Sequence, residues 1–217
     1  MESVFEDRVD AGRRLAARLA AFGGADTLVL GLPRGGVPVA YQVARALGAE
    51  LDVLVVRKIG VPGQPEFAMG AIASGGVEVL DHKLIRALGV DRAQVDAVVE
   101  TERAELARRE RAYRGDRPPP RVAGRTVLVV DDGLATGASM RAALSAVRSL
   151  GPARLVVAVP VAPRGIEDQF RDLADEVVCV SRPADFRAVG AHYRHFGQTG
   201  DAEVQSLLAA ARDGEAS

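Results

Sequence analysis

The stretch from Thr126 to Ser139, Thr-Val-Leu-Val-Val-Asp-Asp-Gly-Leu-Ala-Thr-Gly-Ala-Ser, leaves this chain few folds to adopt. Val127 to Val130 is an apolar run too short for a helix and rich in β-branched side chains. That composition suits a strand buried on both faces of a parallel sheet. Asp131 and Asp132 stand where such a strand ends. Gly133, Leu134, Ala135, Thr136, Gly137, Ala138 and Ser139 then lead into a helical pattern from Met140 to Leu150. A loop of mostly small residues opening a helix leaves several backbone N–H groups free, with the positive end of the helix dipole behind them, and this suits a phosphate. The hydroxyls of Thr136 and Ser139 add donors. The two carboxylates would repel a phosphate; as acceptors only, they suit sugar hydroxyls or a bound Mg2+. Phosphate donors beside diol acceptors describe a site for a ribose 5-phosphate.

An apolar strand, two acidic residues and a small-residue loop containing Ala135-Thr136-Gly137 resemble the 5-phosphoribosyl-1-pyrophosphate (PRPP) motif of the type I phosphoribosyltransferases. The likeness runs without a gap from Val127 to Ser139. A Rossmann or P-loop fingerprint would need glycines and a lysine at spacings absent here. The resemblance implies that residues 133–139 hold the 5-phosphate of PRPP. Asp131 and Asp132 would then act on the ribose hydroxyls and on Mg2+, the metal being held through water or the sugar hydroxyls.

A second loop reads in the same sense. Thr27 to Leu30 is a buried strand, followed by Gly31-Leu32-Pro33-Arg34-Gly35-Gly36 and a helix from about Val37 to Leu47. This loop also opens a helix, so its N–H groups can face an anion, and Arg34 brings a fixed positive charge. In the family the loop at this point holds the pyrophosphate of PRPP, often through a non-proline cis peptide, which here would be Pro33-Arg34. The resemblance thus assigns Pro33, Arg34, Gly35 and Gly36 to pyrophosphate. After a second strand, Leu51 to Val56, the pair Arg57-Lys58 resembles the orotate-type branch, where a basic pair reaches pyrophosphate oxygens. Ile59 to Phe67, with two prolines and two glycines, reads as irregular. It is either a loop over the site or an ordinary surface loop with Glu66 exposed.

The remaining chain reads as scaffold. Asp10 to Phe22 is an amphipathic helix. Ala68 to Ala73 and Val77 to Leu80 form a hairpin, and His82 beyond it receives no role. Asp91 caps a long insertion helix, residues 91–114, with a narrow apolar seam of Val95, Val98, Val99, Leu106 and Tyr113. Its Glu105–Arg109 and Glu110–Arg114 pairs predict a solvated charged face rather than an anion site. Pro118-Pro119-Pro120 makes a stiff connector to the motif strand. Arg154 to Val161 and Glu176 to Val180 are further strands, with a helix expected between them from Ala162 to Leu173. Phe186, Tyr193 and Phe196, beside His192 and His195, either stack on a planar base or pack with one another in a hood over residues 183–217. The second is preferred. Asp201 to Arg212 reads as a terminal amphipathic helix.

Strands separated by helices predict an α/β fold with a mainly parallel central sheet flanked by helices. One domain is expected over residues 1–217, with its core at about 25–182. Ligands of such sheets bind beyond the carboxyl ends of the strands, so the loops at 31–36, 57–67 and 131–139 should converge. A net charge of −1 gives no electrostatic reason to bind nucleic acid or an anionic membrane. The single cysteine, Cys179, excludes an intrachain disulfide and reads as a core residue. No apolar run is long enough to span a membrane, and Met1 to Asp7 does not read as a signal peptide, so a cytoplasmic location is expected. A homodimer is compatible with this reading.

The resemblance implies displacement of pyrophosphate from PRPP by a nitrogenous base, with Mg2+ as cofactor. Arg34, Arg57, Lys58, Asp131 and Asp132 would carry the chemistry. Hypoxanthine-guanine enzymes have an aspartate where this loop has Ala135, so the chain is more similar to the adenine and orotate branches. The acceptor base is not readable. Two other readings stay open: a PRPP- or nucleotide-sensing regulator without turnover, and a nucleotide-cleaving phosphorylase or hydrolase on the same fold.

Overall fold

The computed structural model of the chain describes residues 5–215, with the side chains at 65, 66, 214 and 215 outside the description. The expected exposure of Glu66 therefore falls outside the described residues. Strands β1 (Thr27–Gly31), β2 (Glu50–Val53), β6 (Thr126–Val130), β7 (Arg154–Val161) and β8 (Glu176–Ser181) form a sheet in the order β2-β1-β6-β7-β8. All four pairings are parallel. β1 and β6 sit in its interior, which explains their continuous apolar sequence: Val127 to Val130 are fully buried. The predicted α/β class and mainly parallel sheet are what the chain adopts.

Period-two alternation divides the sheet between two cores. Val29, Leu128, Val130 and Val156 face a layer made by helices α1 (Arg8–Arg18), α2 (Gly36–Leu47), α4 (Arg92–Arg114) and α6 (Asp201–Glu215). Leu28, Leu30, Val127, Val129 and Val157 face α5 (Ala138–Ser149) and the segment around Phe170. Each element is thus apolar where it meets the sheet, and helices cover both faces.

A second sheet corrects the reading of residues 57–67. β3 (Val56–Val61), β4 (Gln64–Ala73) and β5 (Val77–Leu80) form an antiparallel meander. The expected irregular loop is a hairpin whose turn is Pro62-Gly63. Gly63 has φ +79°, the conformation that a Pro-Gly turn needs at its second central residue. A register shift at Gly60 absorbs the remaining irregularity. The second strand of the parallel sheet accordingly ends at Val53 rather than Val56. A short helix, α3 (His82–Ala87), capped by Asp81, follows β5. In place of the helix expected from Ala162 to Leu173 the chain forms a 3-10 segment, Ile166–Phe170, and Gly165 before it, left-handed at φ +77°, keeps a helix from running through from Ala162.

The long helix is as predicted, with Asp91 and Gln94 closing a reciprocal capping box and Val95, Val99, Leu106 and Tyr113 buried. Its charged face is not uniformly solvated. Arg114 is buried and pairs with Asp52 of β2 at 3.0 Å, so the helix is tied to the parallel sheet by an ion pair in the core.

Candidate functional site at the switch point of the sheet

The chain leaves β1 towards β2 on one side and β6 towards β7 on the other, so the direction of strand order reverses between β1 and β6. A crevice opens at the carboxyl ends of two such strands. Gly31 and Val130 are register partners at that end, and the loops that follow them, 31–36 and 131–139, are neighbours by topology.

The two loops also touch. A β-carbon placed on Gly35 would lie 2.1 Å from Oδ2 of Asp132, and one on Gly36 would lie 2.7 Å from the carbonyl oxygen of Val130. Only residues without side chains allow this approach. The Leu32 N–H donates to the Val130 carbonyl at 2.9 Å and stitches the loops together at their base. The Pro33–Arg34 peptide is cis. Gly36 N–H donates to Leu32 and Val37 N–H to Arg34, whereas Arg34 and Gly35 N–H have no backbone acceptor among the described residues. Arg34 is exposed at the rim of the site.

In the 131–139 loop, Gly137 adopts φ +72° and precedes α5. A β-carbon there would also meet the Phe170 ring at 2.9 Å, so glycine is required both by conformation and by space. Leu134 is buried and its N–H donates to Val161, which makes it an anchor of the loop rather than a donor to a ligand. Ala135, Thr136, Ala138 and Ser139 are exposed. The N–H groups of Ala135, Thr136 and Gly137 have no backbone acceptor among the described residues. With the first-turn N–H groups of α5, these gather backbone donors at a helix N-terminus, where the Ala138 N–H also lies 3.5 Å from Oγ1 of Thr136.

Asp131 and Asp132 occupy the floor between the loops. Asp132 N–H donates to Oδ1 of Asp131 at 2.9 Å. Burial and then the adjacent Asp132 charge push the Asp131 carboxyl well above the ordinary aspartate range. Burial also raises Asp132, against the pull of a guanidinium that sequence reasoning misses. Arg8, at the start of α1, donates from Nε and Nη2 to Oδ2 of Asp132 at 2.9 and 2.8 Å. Nothing in the sequence marks Arg8 among the chain's arginines.

The aromatic tail settles as a packed hood. Phe186 stacks on His192 with centroids 5.4 Å apart, and Tyr193 packs on Phe5 and Phe196. The guanidinium of Arg8 lies 4.0 Å above the Phe196 ring, and Gly190 lies close against the same ring. These rings pack against one another and against Arg8, while Phe196 stays 40% exposed. The hood reaches the site through the Tyr193 hydroxyl, which donates to the carbonyl of Asp132.

Arg57 and Lys58 do not lie on a loop beside Arg34. They are successive residues of β3, so their side chains leave opposite faces of the hairpin. Arg57 donates to Glu102 of α4 at 2.7 Å and braces the hairpin against that helix. Of the three expected ligand loops, 31–36 and 131–139 converge, and 57–67 is replaced by the hairpin. Among the described residues no cluster of three or more His, Cys, Asp or Glu side chains forms a metal cage. No described helix is long and apolar enough to cross a membrane.

The profile of the phosphoribosyl transferase domain matches residues 4–195. Two curated proteins of Mycobacterium tuberculosis, from the strains CDC 1551 / Oshkosh and ATCC 25618 / H37Rv, are each 51% identical to the chain over 205 residues. Both are named provisionally as phosphoribosyl transferases. The match covers 94% of this chain and 46% of each relative, so the chain spans about half the length of the curated relatives it matches. Among solved structures, the crystal structure of TT1426 from Thermus thermophilus is similar at 48% identity and a TM-score of 0.86, covering 97% of this chain and 99% of that one.

Proposed function

The chain belongs to the phosphoribosyl transferase family, and on that premise we propose that it transfers the 5-phosphoribosyl group of PRPP to a nitrogenous base and releases pyrophosphate. One observation carries this reading: at the β1/β6 switch point, Gly35 of a cation-bearing loop packs against Asp132 of a phosphate-type loop with no room for a side chain between them. A single ligand with anions at both ends and a diol in the middle satisfies both loops. PRPP has that layout.

In this reading the 5-phosphate sits on the N–H groups of residues 135–139 and the hydroxyls of Thr136 and Ser139. The ribose hydroxyls face Asp131 and Asp132, and the pyrophosphate faces the Arg34–Gly35 peptide and the Arg34 side chain. As the C1–oxygen bond breaks, positive charge grows on the ribose and negative charge on the leaving pyrophosphate. The carboxylates favour the first and Arg34 the second. Lys58, on the face of β3 opposite Arg57, is the member of the basic pair retained for the pyrophosphate. Positioning and exclusion of water supply much of what else the reaction needs.

Two adjacent carboxylates, one of them already held by Arg8, fit a Mg2+ that arrives with the oxygens of the substrate rather than a resident ion. Mg2+ bound in this way would neutralise charge on the pyrophosphate, with Asp131 and Asp132 holding it through water or the sugar hydroxyls. The test is pyrophosphate release from PRPP and Mg2+ across purine, pyrimidine and pyridine bases. Release with one class supports the proposal and names the acceptor. Tight PRPP binding without release from any base assigns the site to sensing.

A further inference from the structure

Beside the 31–36 loop lies a cavity of about 430 Å3 whose polar walls come from three parts of the chain. Arg34 enters from the loop, Arg108, Arg109 and Tyr113 from α4, and Asp201 from the first residue of α6. Arg108 and Arg109 both donate to Glu105, at 2.8 and 2.7 Å. Those hydrogen bonds hold the Glu105 carboxyl at about 2, so one carboxylate aligns two guanidiniums and the trio carries net positive charge.

Asp201 is an anion already sitting in this cationic space. Its Oδ1 accepts the Tyr113 hydroxyl at 2.7 Å and lies 3.8 Å from Nη1 of Arg34. Arg34 and Asp201 are each about half exposed, at 47% and 56%. An ion pair so long and so wet contributes little, and a multiply charged ligand can displace it. Burial, with the bond to Asp201, pushes the Tyr113 hydroxyl up to about 12, so it remains a donor to whatever anion takes the place of Asp201.

The geometry points to this cavity as an anion subsite that takes the diphosphate of the phosphoribosyl donor, with Arg108 and Arg109 of α4 acting beside Arg34 and the carboxylate of Asp201 as the resident competitor. This rests on the PRPP reading above and extends it to residues that the two loops do not contain. Arg108 and Arg109 lie on the solvated face expected of α4, at 66% and 38% side-chain exposure, and in this proposal the Glu105 carboxylate that pairs with them also holds them for a ligand. Because Asp201 opens α6, occupancy of the subsite loosens one polar tether of the C-terminal helix.

The two kinds of wall residue predict effects of opposite sign, which loss of folding cannot mimic. Calorimetric titration with inorganic pyrophosphate, PRPP and ribose 5-phosphate, each with Mg2+, should be run on the wild type, Asp201→Asn and Arg108→Gln/Arg109→Gln. Asp201→Asn should bind pyrophosphate and PRPP tighter by about threefold to tenfold, and the double arginine variant weaker by about tenfold or more. Ribose 5-phosphate, which lacks the diphosphate, should change less than about twofold in either. Unchanged pyrophosphate and PRPP affinity in both variants, weaker binding in Asp201→Asn, or a wild type that binds ribose 5-phosphate but not pyrophosphate would overturn the subsite and leave the parent reading standing. A wild type that binds neither PRPP nor ribose 5-phosphate would overturn both.

Discussion

Arg8 donates two hydrogen bonds to a single oxygen of Asp132, a residue 124 positions further along the chain. The same guanidinium donates to the Gly197 carbonyl at 2.6 Å and covers the Phe196 ring. One side chain therefore joins the first helix, the acidic floor of the site and the hood. Both partners are largely buried, at 13% and 15% side-chain exposure.

Arg8→Met should cost about 2–3 kcal/mol, because it strands a largely buried carboxylate and removes charge-assisted bonds. The urea midpoint at pH 7 measures this. Adding Asp132→Asn should restore most of the loss, since the uncompensated charge goes with it. An unchanged midpoint in Arg8→Met would show that the contact is ornamental.

Asp131 should behave in the opposite way. Its folded-state pKa is raised by burial and by Asp132, so the folded protein holds this proton where the unfolded chain has released it. Its contribution is fully present below the unfolded value of 3.8 and is lost as pH rises through the folded one. Asp131→Asn should therefore raise the thermal midpoint at pH 7, on the order of a few degrees, while abolishing turnover. The difference from wild type should shrink as the pH is lowered towards the unfolded value. A variant less stable than wild type at pH 7 would contradict the assignment.

Thr136→Ala/Ser139→Ala removes two exposed hydroxyl donors beside the loop N–H groups. Affinity for ribose 5-phosphate should fall by about tenfold, the loss of two net hydrogen bonds, with little change in stability. Equal affinity would place the 5-phosphate elsewhere.

The metal prediction follows from the donor set. With only two adjacent carboxylates and no protein cage among the described residues, Mg2+ alone should not shift the thermal midpoint, whereas Mg2+ with PRPP should shift it more than PRPP in EDTA. A midpoint raised by millimolar Mg2+ without PRPP would contradict this arrangement.

The motif strand and the two small-residue loops are legible in the sequence because each is a local pattern of a few consecutive residues, whereas the cis peptide at Pro33–Arg34 is expected only through the resemblance to the family. The hairpin at 57–67 is hidden because Pro62 and Gly63 count as breakers one at a time, whereas together they make the turn. Arg57 is misread for the same reason: its pairing with Glu102 exists only once β3 is a strand packed on α4. Arg114 reads as one more surface arginine until Asp52 is found opposite it. Arg8 and Asp201 carry no local signal at all. Their roles arise from contacts across long stretches of the chain, in a sequence whose 28 basic residues include only two lysines and so give single arginines little contrast.

Whether the Arg34 loop stabilises a leaving pyrophosphate is decided most directly by one comparison: the rate of pyrophosphate release against PRPP affinity in wild type and Arg34→Ala. An interaction that strengthens as the bond breaks lowers turnover more than binding when it is removed. Arg34→Ala should lose about 2–4 kcal/mol of transition-state stabilisation, roughly 30- to 1,000-fold in rate, with a smaller loss of PRPP affinity. Equal losses in rate and affinity, or a wild type that binds PRPP and releases no pyrophosphate with any base, would contradict the transferase.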